Sequence, residues 1–463
     1  MSEAPAAGLF DRALRRITTV WRDMAASVGG EADEDMATQM RACLDGRGGE
    51  ISARNRAAKL AETYLEASKA GRLEFLRTLA GFDADPAVVA AAYAKVQAAA
   101  DPADRAAATA ALRRALESPR LRLLTQFTTI PDGMKFLVDL RGSLLARSKN
   151  EKLLAALDSD LRGLLASWFD LGFLELRRID WSSPASLLEK LVGYEAVHAI
   201  RSWADLKNRL DSDRRCYAFF HPRMPEEPLI FVEVALVRGL ASSVQALLDE
   251  DAPVFDPRGA DTAIFYSISN CQRGLAGISF GNFLIKQVVE VLSAEFRNLK
   301  HFATLSPAPG FRSWLDEKLK ADEPRLLSPE ETTALRAAVP DAPSGPAALA
   351  SILARPGWFT DLAAQKAAET PLVRLCARYL LAEANGGKRA RDPVTHFHLS
   401  NGARVERINP LADISDKGAR ESATLMVNYL YDPGRIEEYH EDYAGEGKRN
   451  ASTAVRKLAR GWI

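Results

Sequence analysis

The chain has 463 residues, of which 47% are hydrophobic and 26% are charged, with 61 Lys+Arg against 61 Asp+Glu. This composition is typical of a globular protein with a large apolar core, and the length predicts about three domains of roughly 150 residues each. The zero formal net charge argues against nucleic acid as the main partner. No window of about 18 uninterrupted apolar residues occurs, so we expect no membrane span.

The four cysteines, at positions 43, 216, 271 and 376, are far apart and form no Cys-x-x-Cys pair. This spacing indicates neither a zinc site nor a dense disulfide framework, so we expect no bound metal. A reducing compartment suits such cysteines, and we therefore expect a cytoplasmic protein.

Apolar residues between positions 9 and 21 fall at helical spacing and predict a first helix that packs on its neighbours. Acidic residues among the arginines and the lack of an apolar core argue against a secretory signal, and a transit peptide is the alternative. The final residues, Gly-Trp-Ile, are not the peroxisomal Ser-Lys-Leu signal.

The first 180 or so residues are typical of helices. They contain alanine-rich stretches at 90–100 and 103–111 and almost no β-branched runs. Asp101 followed by Pro102 predicts a helix start, because aspartate caps a helix and proline suits its first position. We expect an all-α bundle over residues 1–182, whose surplus apolar surface forms an oligomer contact. No residue in this half suggests catalysis.

Beyond Trp181 the pattern becomes mixed. Ser183-Pro184 begins one more helix, and three prolines between the first two strands predict an antiparallel pair with a long connection. Asn401-Gly402 predicts a tight hairpin. The fold class is therefore α+β, with a mixed sheet over residues 183–463. We expect a long helix at about 282–298 and strands at residues 216–220, 229–237, 262–269, 302–305, 394–400, 404–408 and 425–431.

A glycine-containing loop joins the strand at 262–269 to the long helix. Free N–H groups and the dipole at a helix start favour a phosphate, and glycines at 274, 277 and 281 let the backbone approach it closely. The spacing is neither that of a dinucleotide fingerprint nor that of a Walker A loop. Gln272-Arg273 followed by glycines loosely resembles the pyrophosphate loop of the GNAT acyltransferases. A glycine-rich connection kept for packing is the alternative.

The same loop contains Gly-Ile-Ser-Phe-Gly at 277–281, which matches the GxSxG motif of α/β-hydrolases. Asp392 and His398 would then complete a triad with Ser279. However, the predicted strand ends about ten residues before Ser279, whereas a nucleophile elbow needs the strand to lead directly into the serine. We therefore disfavour the hydrolase interpretation.

His396 and His398 lie two apart on the predicted strand at 394–400, which would place both on one face with Ser400. A metal site is disfavoured, because no acidic or cysteine cluster lies nearby in the sequence. Two interpretations stay open: an acid/base histidine that faces a cleft, and a hydrogen-bonded structural histidine.

Ser306 ends the predicted strand at 302–305 and precedes Pro307-Ala308-Pro309-Gly310. Ligands bind at such strand ends in open sheets, and the prolines would hold the hydroxyl in place. The alternative is a serine that caps the helix beginning near Phe311.

Several segments taken together resemble the malonyl-CoA decarboxylase family, in order across about 215 residues. They are Arg215-Cys216-Tyr217, AIFYSIS at 263–269, GNFLIK at 281–286, LSPAPGF at 305–311, FHLSNGA at 397–403, Arg407-Ile408-Asn409 and NYLY at 428–431.

The resemblance implies a GNAT-like catalytic domain after a helical domain that serves in oligomer assembly, as a dimer or tetramer. It implies that Ser306 and His398 act on malonyl-CoA, with Tyr431 near the pair. Some relatives have an acidic residue at position 279, so a carboxylate role there does not transfer to this chain. The implied CoA-binding loop comprises Ala276, Gly277, Ile278, Ser279, Phe280, Gly281 and Asn282.

The implied reaction yields acetyl-CoA and CO₂. A malonyl thioester needs no metal or organic cofactor for it, because its own carbonyl accepts the electrons. We hypothesise that His398 protonates the product carbon or hydrogen-bonds the enolate oxygen, and that Ser306 binds the departing carboxylate or relays protons. Backbone N–H groups of residues 277–282 would hold the pyrophosphate. The alternatives are an acyl-CoA acyltransferase and a non-catalytic acyl-CoA sensor, in which Ser306 and His398 only line a pocket.

Overall fold

The computed structural model describes residues 21–24, 35–45, 49–278, 281–321 and 323–462, without the side chains of 171 and 281–283. The predicted helix at 9–21 lies outside the described residues except for its last position, and so do Ser279 and Phe280. The chain divides into two compact units. The first comprises Met1–Glu175, Phe220–Leu229 and Asn270–Ser279, and the second comprises Leu176–Phe219, Ile230–Ser269 and Phe280–Ile463.

The described part of the first unit up to Trp168 is helical, with short connections between the helices. Asp101 accepts hydrogen bonds from the N–H groups of Ala103 and Asp104, with Pro102 at the first helical position, which confirms the predicted cap. The helices are α1 (Met36–Leu44), α2 (Gly49–Glu66), α3 (Lys69–Gly81), α4 (Pro86–Ala98), α5 (Pro102–Ala115), α6 (Pro119–Phe127), α7 (Gly133–Leu144) and α8 (Lys152–Trp168).

An aromatic cluster around Phe136 of α7 forms the core of this unit. The Phe136 ring lies 5.5 Å from Trp21, 5.7 Å from Tyr64 and 5.0 Å from Phe127, measured between ring centroids. Edge-to-face and tilted contacts of this kind add to the gain from burial. Helix α7 is therefore the central helix of the unit, and most of its residues are buried.

The second unit contains the sheet. Its strands are β1 (Glu175–Ile179, which begins at the unit boundary), β2 (Arg214–His221) and β3 (Met224–Val237), whose hairpin end belongs to the first unit, then β4 (Thr262–Asn270), β5 (His301–Thr304), β6 (Ser306–Pro307), β7 (Arg404–Asn409) and β8 (Met426–Tyr431). Its helices are α9 (Ala185–Tyr194), α10 (Trp203–Arg209), α11 (Val244–Leu247), α12 (Gly281–Glu295), α13 (Phe311–Lys320), α14 (Pro329–Ala338), α15 (Gly345–Ala354), α16 (Leu362–Leu381), α17 (Pro393–Ser400), α18 (Asp416–Ser422), α19 (Ile436–Glu441) and α20 (Thr453–Leu458).

The strand order is β1-β2-β3-β4-β5-β8-β6, and β7 also pairs with β8. Strands β4 and β5 are parallel, and α12 lies between them in the chain. Strand β8 is antiparallel to β5, β6 and β7. The sheet is thus mixed, which confirms the α+β class.

Residues 394–400 form helix α17, so the predicted strand there is wrong. The buried Asp392 caps this helix through the N–H groups of Val394 and Thr395, and Pro393 occupies its first position. Asn401-Gly402 consequently ends a helix and is not a hairpin turn. Gly402 has a φ of +78°, and a Cβ there would lie 2.2 Å from the carbonyl oxygen of Ile436.

The connection between β2 and β3 is also shorter than predicted. It consists of Pro222 and Arg223 alone, since β3 already begins at Met224. Pro225 and Pro228 lie in the first five residues of β3, near the hairpin end, where a strand tolerates proline best.

One face of the sheet is covered by an apolar cluster that includes Ile264, Ala303 and Met426, with Leu430 packed against it. Because side chains alternate along a strand, Tyr429 and Tyr431 of β8 point to the opposite face. That second face carries the candidate site.

Within the described residues, no three His, Cys, Asp or Glu side chains are arranged to hold a metal ion. No described helix combines the length and apolar character needed to cross a membrane. The four cysteines are buried, and they form no disulfide bond with one another.

A buried ionic cluster fastens α10 to the sheet. Arg209 is 2.7 Å from Asp205 and 3.1 Å from Glu233, and all three residues are at most 1% exposed. Burial raises the pKa of Glu233 to about 8. The arginine therefore compensates at least one carboxylate that water does not reach.

We expect Arg209→Met to lower the free energy of unfolding by about 3–5 kcal/mol, because it removes the described ion-pair partner of the buried Glu233. Urea denaturation measures this change. Arg258→Met is the matched control, since the exposed Arg258–Asp256 pair is open to water and should matter little. Equal effects of the two substitutions would contradict the assigned role of Arg209.

Candidate active site

Ser306 lies in β6, where it pairs with Val427 of β8, and it is 8% exposed. The turn after it is held by a hydrogen bond from the Ala308 N–H to Ser422 Oγ, at 3.1 Å. Helix α13 begins after this turn and its N-cap is Gly310, so the alternative that Ser306 caps the helix is wrong. The Ser306 hydroxyl therefore does not serve as a helix cap.

His398 of α17 is 2% exposed, and its Nε2 lies 3.0 Å from Ser306 Oγ. Its Nδ1 lies 2.8 Å from the hydroxyl of Tyr431. The structure therefore brings together the three side chains expected at the catalytic centre. Burial raises the pKa of the Tyr431 hydroxyl well above its ordinary value, so the phenol stays protonated.

The hydrogen-bond partners assign the proton positions on the imidazole. The one described partner of the buried Tyr431 hydroxyl is His398 Nδ1, so the phenol donates to Nδ1. Nε2 then carries the proton and donates to Ser306 Oγ. The serine hydroxyl donates in turn to Thr304 Oγ1, at 3.0 Å. Each hydrogen bond in this series, from Tyr431 through His398 and Ser306 to Thr304, thus has one donor and one acceptor.

The imidazole plane is held by a stacked neighbour. The ring of Tyr429 lies 4.4 Å from that of His398 at an angle of 25°. The Tyr429 hydroxyl lies 2.7 Å from Thr395 Oγ1, one helical turn before His398, and Thr395 also bonds to Asp392. Tyr429 is thus attached to α17 at two points.

Burial alone lowers the pKa of His398 to about 3, so the imidazole is neutral near pH 7. Asp392 makes no described hydrogen bond to His398. Its carboxylate instead caps α17 and accepts the N–H of Gly310, at 3.4 Å. The arrangement of Asp392 therefore does not support the hydrolase triad.

His396 has a separate environment. Its Nδ1 lies 2.8 Å from the Tyr443 hydroxyl, and its Nε2 accepts from Arg389 at 2.7 Å. Two residues along a helix differ by about 200°, so His396 and His398 point in different directions, and the shared face predicted for them with Ser400 is wrong. Ser400 Oγ is 3.4 Å from the His396 ring.

The described part of the glycine loop, Ala276, Gly277 and Ile278, belongs to the first unit. Ala276 and Gly277 are exposed, and Gly277 has a φ of +77°, which favours glycine. Gly281 and Asn282 form the beginning of α12. Free N–H groups at a helix start suit a phosphate.

Two arginines that contact this loop were not predicted from the sequence. Arg141 of α7 donates to the carbonyl oxygens of Gly274 and Ala276, and Arg162 of α8 donates to that of Gly277. Both arginines come from the helical half. The residues Thr304 and Tyr429, which flank the Ser306–His398 pair, were also not predicted, because no local pattern distinguishes them.

The second unit presents neutral donors, Ser306 O–H and His398 Nε2–H, in a nearly dry environment. Such donors stabilise a developing oxyanion and supply protons. Fold and site together define a mixed α+β protein with a buried cluster of uncharged hydrogen-bonding side chains.

Family models match both halves of the chain. The model described as the malonyl-CoA decarboxylase C-terminal domain matches residues 172–462, and the one described as the malonyl-CoA decarboxylase N-terminal domain matches residues 82–169. The chain therefore belongs to the malonyl-CoA decarboxylase family, a family of enzymes.

Individual relatives agree with this assignment. The mitochondrial malonyl-CoA decarboxylase of Anser anser anser is 39% identical over 326 residues, which are 68% of this chain and 64% of the goose protein. This chain thus spans just under two thirds of that relative. The mitochondrial malonyl-CoA decarboxylase of Rattus norvegicus is 38% identical over 353 residues, which are 73% of this chain and 71% of the rat protein.

Solved structures extend the likeness to the fold. The crystal structure of malonyl-CoA decarboxylase from Rhodopseudomonas palustris has a TM-score of 0.82 at 43% identity, over 91% of this chain and 98% of that one. The crystal structure of the Agrobacterium vitis protein of the same name has a TM-score of 0.83 at 42% identity, over 92% and 100% of the two chains.

The neutral state of His398 has a consequence for stability. The unfolded chain protonates this histidine below about pH 6.5, whereas the folded chain does so only near pH 3. Above about pH 6.5 this histidine therefore does not change the free energy of unfolding with pH. Below that pH, the folded state loses up to about 1.4 kcal/mol per pH unit as the pH falls towards 3. Urea unfolding between about pH 7 and pH 5 should show a shallower decline for His398→Asn than for the wild type. Parallel declines would contradict the neutral imidazole.

The assigned tautomer is testable by ¹⁵N NMR of the imidazole. The wild type should carry its proton on His398 Nε2. In Tyr431→Phe the Nδ1 atom loses its donor, so the Nδ1–H tautomer should become populated. Tyr429→Phe, two residues earlier on β8, keeps the stacked ring and should leave the tautomer unchanged. An Nδ1–H tautomer in the wild type would overturn the assignment.

Proposed function

We propose that this protein converts malonyl-CoA to acetyl-CoA and CO₂, and that Ser306 and His398 act as its catalytic pair with Tyr431 behind them. The observation that carries the proposal is the 3.0 Å contact between Ser306 Oγ and His398 Nε2, in a chain of the malonyl-CoA decarboxylase family. The mitochondrial relatives from goose and rat bear the name of this activity.

The reaction breaks the bond between the α-carbon and the carboxylate carbon. The electron pair passes to the thioester carbonyl as an enolate, CO₂ departs, and the α-carbon takes up one proton. The thioester is the electron sink, so the proposed reaction uses no metal or organic cofactor. The protein has to hold the carboxylate out of the carbonyl plane, stabilise the enolate oxygen and deliver the proton.

Neutral donors suit these tasks. A cation beside the carboxylate would stabilise the substrate as well as the transition state and gain little rate. The α-carbanion of a thioester is a far stronger base than an alkoxide, so the Ser306 hydroxyl is acidic enough to protonate it. The serine oxygen regains its proton from water, while His398 Nε2–H donates a hydrogen bond to that oxygen or to the enolate oxygen. Tyr431 keeps its own proton, because burial opposes the phenolate.

The loop from Ala276 to Asn282 is proposed to bind the CoA pyrophosphate through backbone N–H groups, with Ser279 and Phe280 included by their position in the sequence. Support comes from the exposed Gly277 and from the start of α12 at Gly281, within this segment. The order β4, loop, α12 and parallel β5 supports the finer proposal of a GNAT-like domain.

Purified protein with malonyl-CoA alone should release CO₂ and form acetyl-CoA. Ser306→Ala and His398→Asn should each lower kcat by about 10²–10⁴-fold, the usual contribution of a positioned acid or base. His396→Asn is the matched control, because His396 lies on the same helix and contacts Tyr443 and Arg389 instead. Release of free CoA without CO₂, and only with an added acyl acceptor, would favour an acyltransferase, and CoA binding without turnover would favour a sensor. Either result contradicts the proposal.

The helical half is proposed to assemble the chain into a dimer or tetramer. Helix α4 buries only Ala92, and α5 buries no residue. Val88 and Tyr93 of α4 are each 53% exposed, and exposed apolar side chains of this kind favour association. A cytoplasmic location stays a prediction, since the goose and rat relatives are named mitochondrial.

Light scattering after size-exclusion chromatography should give the mass of a dimer or tetramer. Val88→Asp combined with Tyr93→Asp should reduce this mass, because it places charge on the exposed apolar surface. Val254→Asp is the control, since Val254 is 54% exposed but lies in the second unit. A wild-type protein with the mass of one chain would refute the proposal.

A further inference from the structure

We propose that Arg141 of α7 is a positioning residue for Ala276, where the proposed CoA-binding loop begins, and that it thereby contributes to affinity for the CoA pyrophosphate. The ligand in this inference is the pyrophosphate of CoA, which rests on the proposed function. The argument depends only on residues of the first unit.

Arg141 is committed to the loop backbone. Its Nη1 donates to the carbonyl oxygen of Gly274 at 2.6 Å and to that of Ala276 at 3.0 Å. Its Nε donates to Asp158 at 2.9 Å, which fixes the guanidinium from the side of α8. The residue is 2% exposed, so it acts on the loop and not on a ligand in solution.

The loop is fastened to α7 by direct backbone contact as well. A Cβ on Gly274 would lie 1.7 Å from the carbonyl oxygen of Val138 and 3.1 Å from the backbone nitrogen of Gly142. The beginning of the loop is held by the hydrogen bond from the Cys271 N–H to the Leu229 carbonyl, at 2.9 Å. The path of the chain before Ala276 is therefore set by its neighbours in this unit.

Arg141 fixes the two loop carbonyls that it contacts, those of Gly274 and Ala276. Without the guanidinium, the buried carbonyl of Gly274 loses its described side-chain donor, and an unsatisfied buried carbonyl favours a shift of the backbone. A loop that binds phosphate through N–H groups depends on their direction, and small displacements weaken binding strongly. Arg162 supports the last described turn in the same way, through the Gly277 carbonyl at 2.9 Å.

The chain offers a matched control in Arg120 of α6. Arg120 is 3% exposed, and it donates to Asp160 at 2.7 Å and to the carbonyl of Ala80 at 2.7 Å. It is a buried arginine of the same unit, bonded to a carboxylate and a carbonyl, but none of its described contacts is to the loop. A substitution at Arg120 therefore shows the effect of losing a buried arginine on stability alone, without a direct effect on the loop.

The experiment compares kcat/KM for malonyl-CoA with that for malonyl-pantetheine, which lacks the pyrophosphate. In Arg141→Met the ratio of the two values should fall about 10–100-fold, through a higher KM for malonyl-CoA. Arg120→Met should leave the ratio unchanged. Arg141→Lys should give an intermediate ratio, because an ammonium group reaches one carbonyl but lacks the fork. Arg141→Lys also serves if Arg141→Met does not fold.

An unchanged ratio in Arg141→Met and Arg141→Lys, or an equal fall in Arg120→Met, would overturn the inference. Calorimetry with CoA and with pantetheine provides a second measurement that needs no turnover. Wild-type protein that binds CoA but releases no CO₂ would refute the proposed function alone. The selective loss of CoA affinity in Arg141→Met would then still support the inference.

Discussion

The buried hydrogen bond between Ser306 Oγ and His398 Nε2 joins the two elements on which the site depends. One is a short strand that pairs with β8, and the other is a helix whose start is fixed by Asp392. Because both side chains are nearly inaccessible to water, the imidazole stays neutral, and hydrogen bonds in such an environment are stronger than at a surface. A shift of α17 against β8 would break the bonds to Ser306 and Tyr431 together.

The secondary structure of the central β-loop-α-β region was predicted correctly from the sequence. The predicted strand at 262–269 and helix at 282–298 correspond to β4 (Thr262–Asn270) and α12 (Gly281–Glu295), because apolar runs and helical periodicity agree there with the tertiary environment. The strand prediction for residues 394–400 was wrong because Asn401-Gly402 and the alternating histidines favoured a hairpin. Asp392-Pro393 is the same helix-start pattern as Asp101-Pro102. In the structure this capping decides the local conformation, although the histidines alternate as they would in a strand.

The residues of the site differ in how far the sequence indicates them. Ser306, His398 and Tyr431 lie in short motifs whose order along the chain resembles a family, and the structure places them within hydrogen-bond distance. Arg141 lies 133 residues before the carbonyl that it contacts, in a helix rich in leucine. Its role arises from the packing of α7 against the loop, and a single sequence contains no local pattern for such a contact.

The helical form of 394–400 matters for the proposed chemistry. In a strand, His396 and His398 would share one face, so the imidazole of His398 would lie on the same side as the histidine that accepts from Arg389. A cation there would bind the malonyl carboxylate and stabilise the substrate, which opposes loss of CO₂. The helix turns the two histidines about 200° apart, so that one pairs with the arginine while the other stacks on Tyr429 and remains neutral. The helical backbone of 394–400 therefore places the proposed reaction at the histidine that has no described contact with a cation.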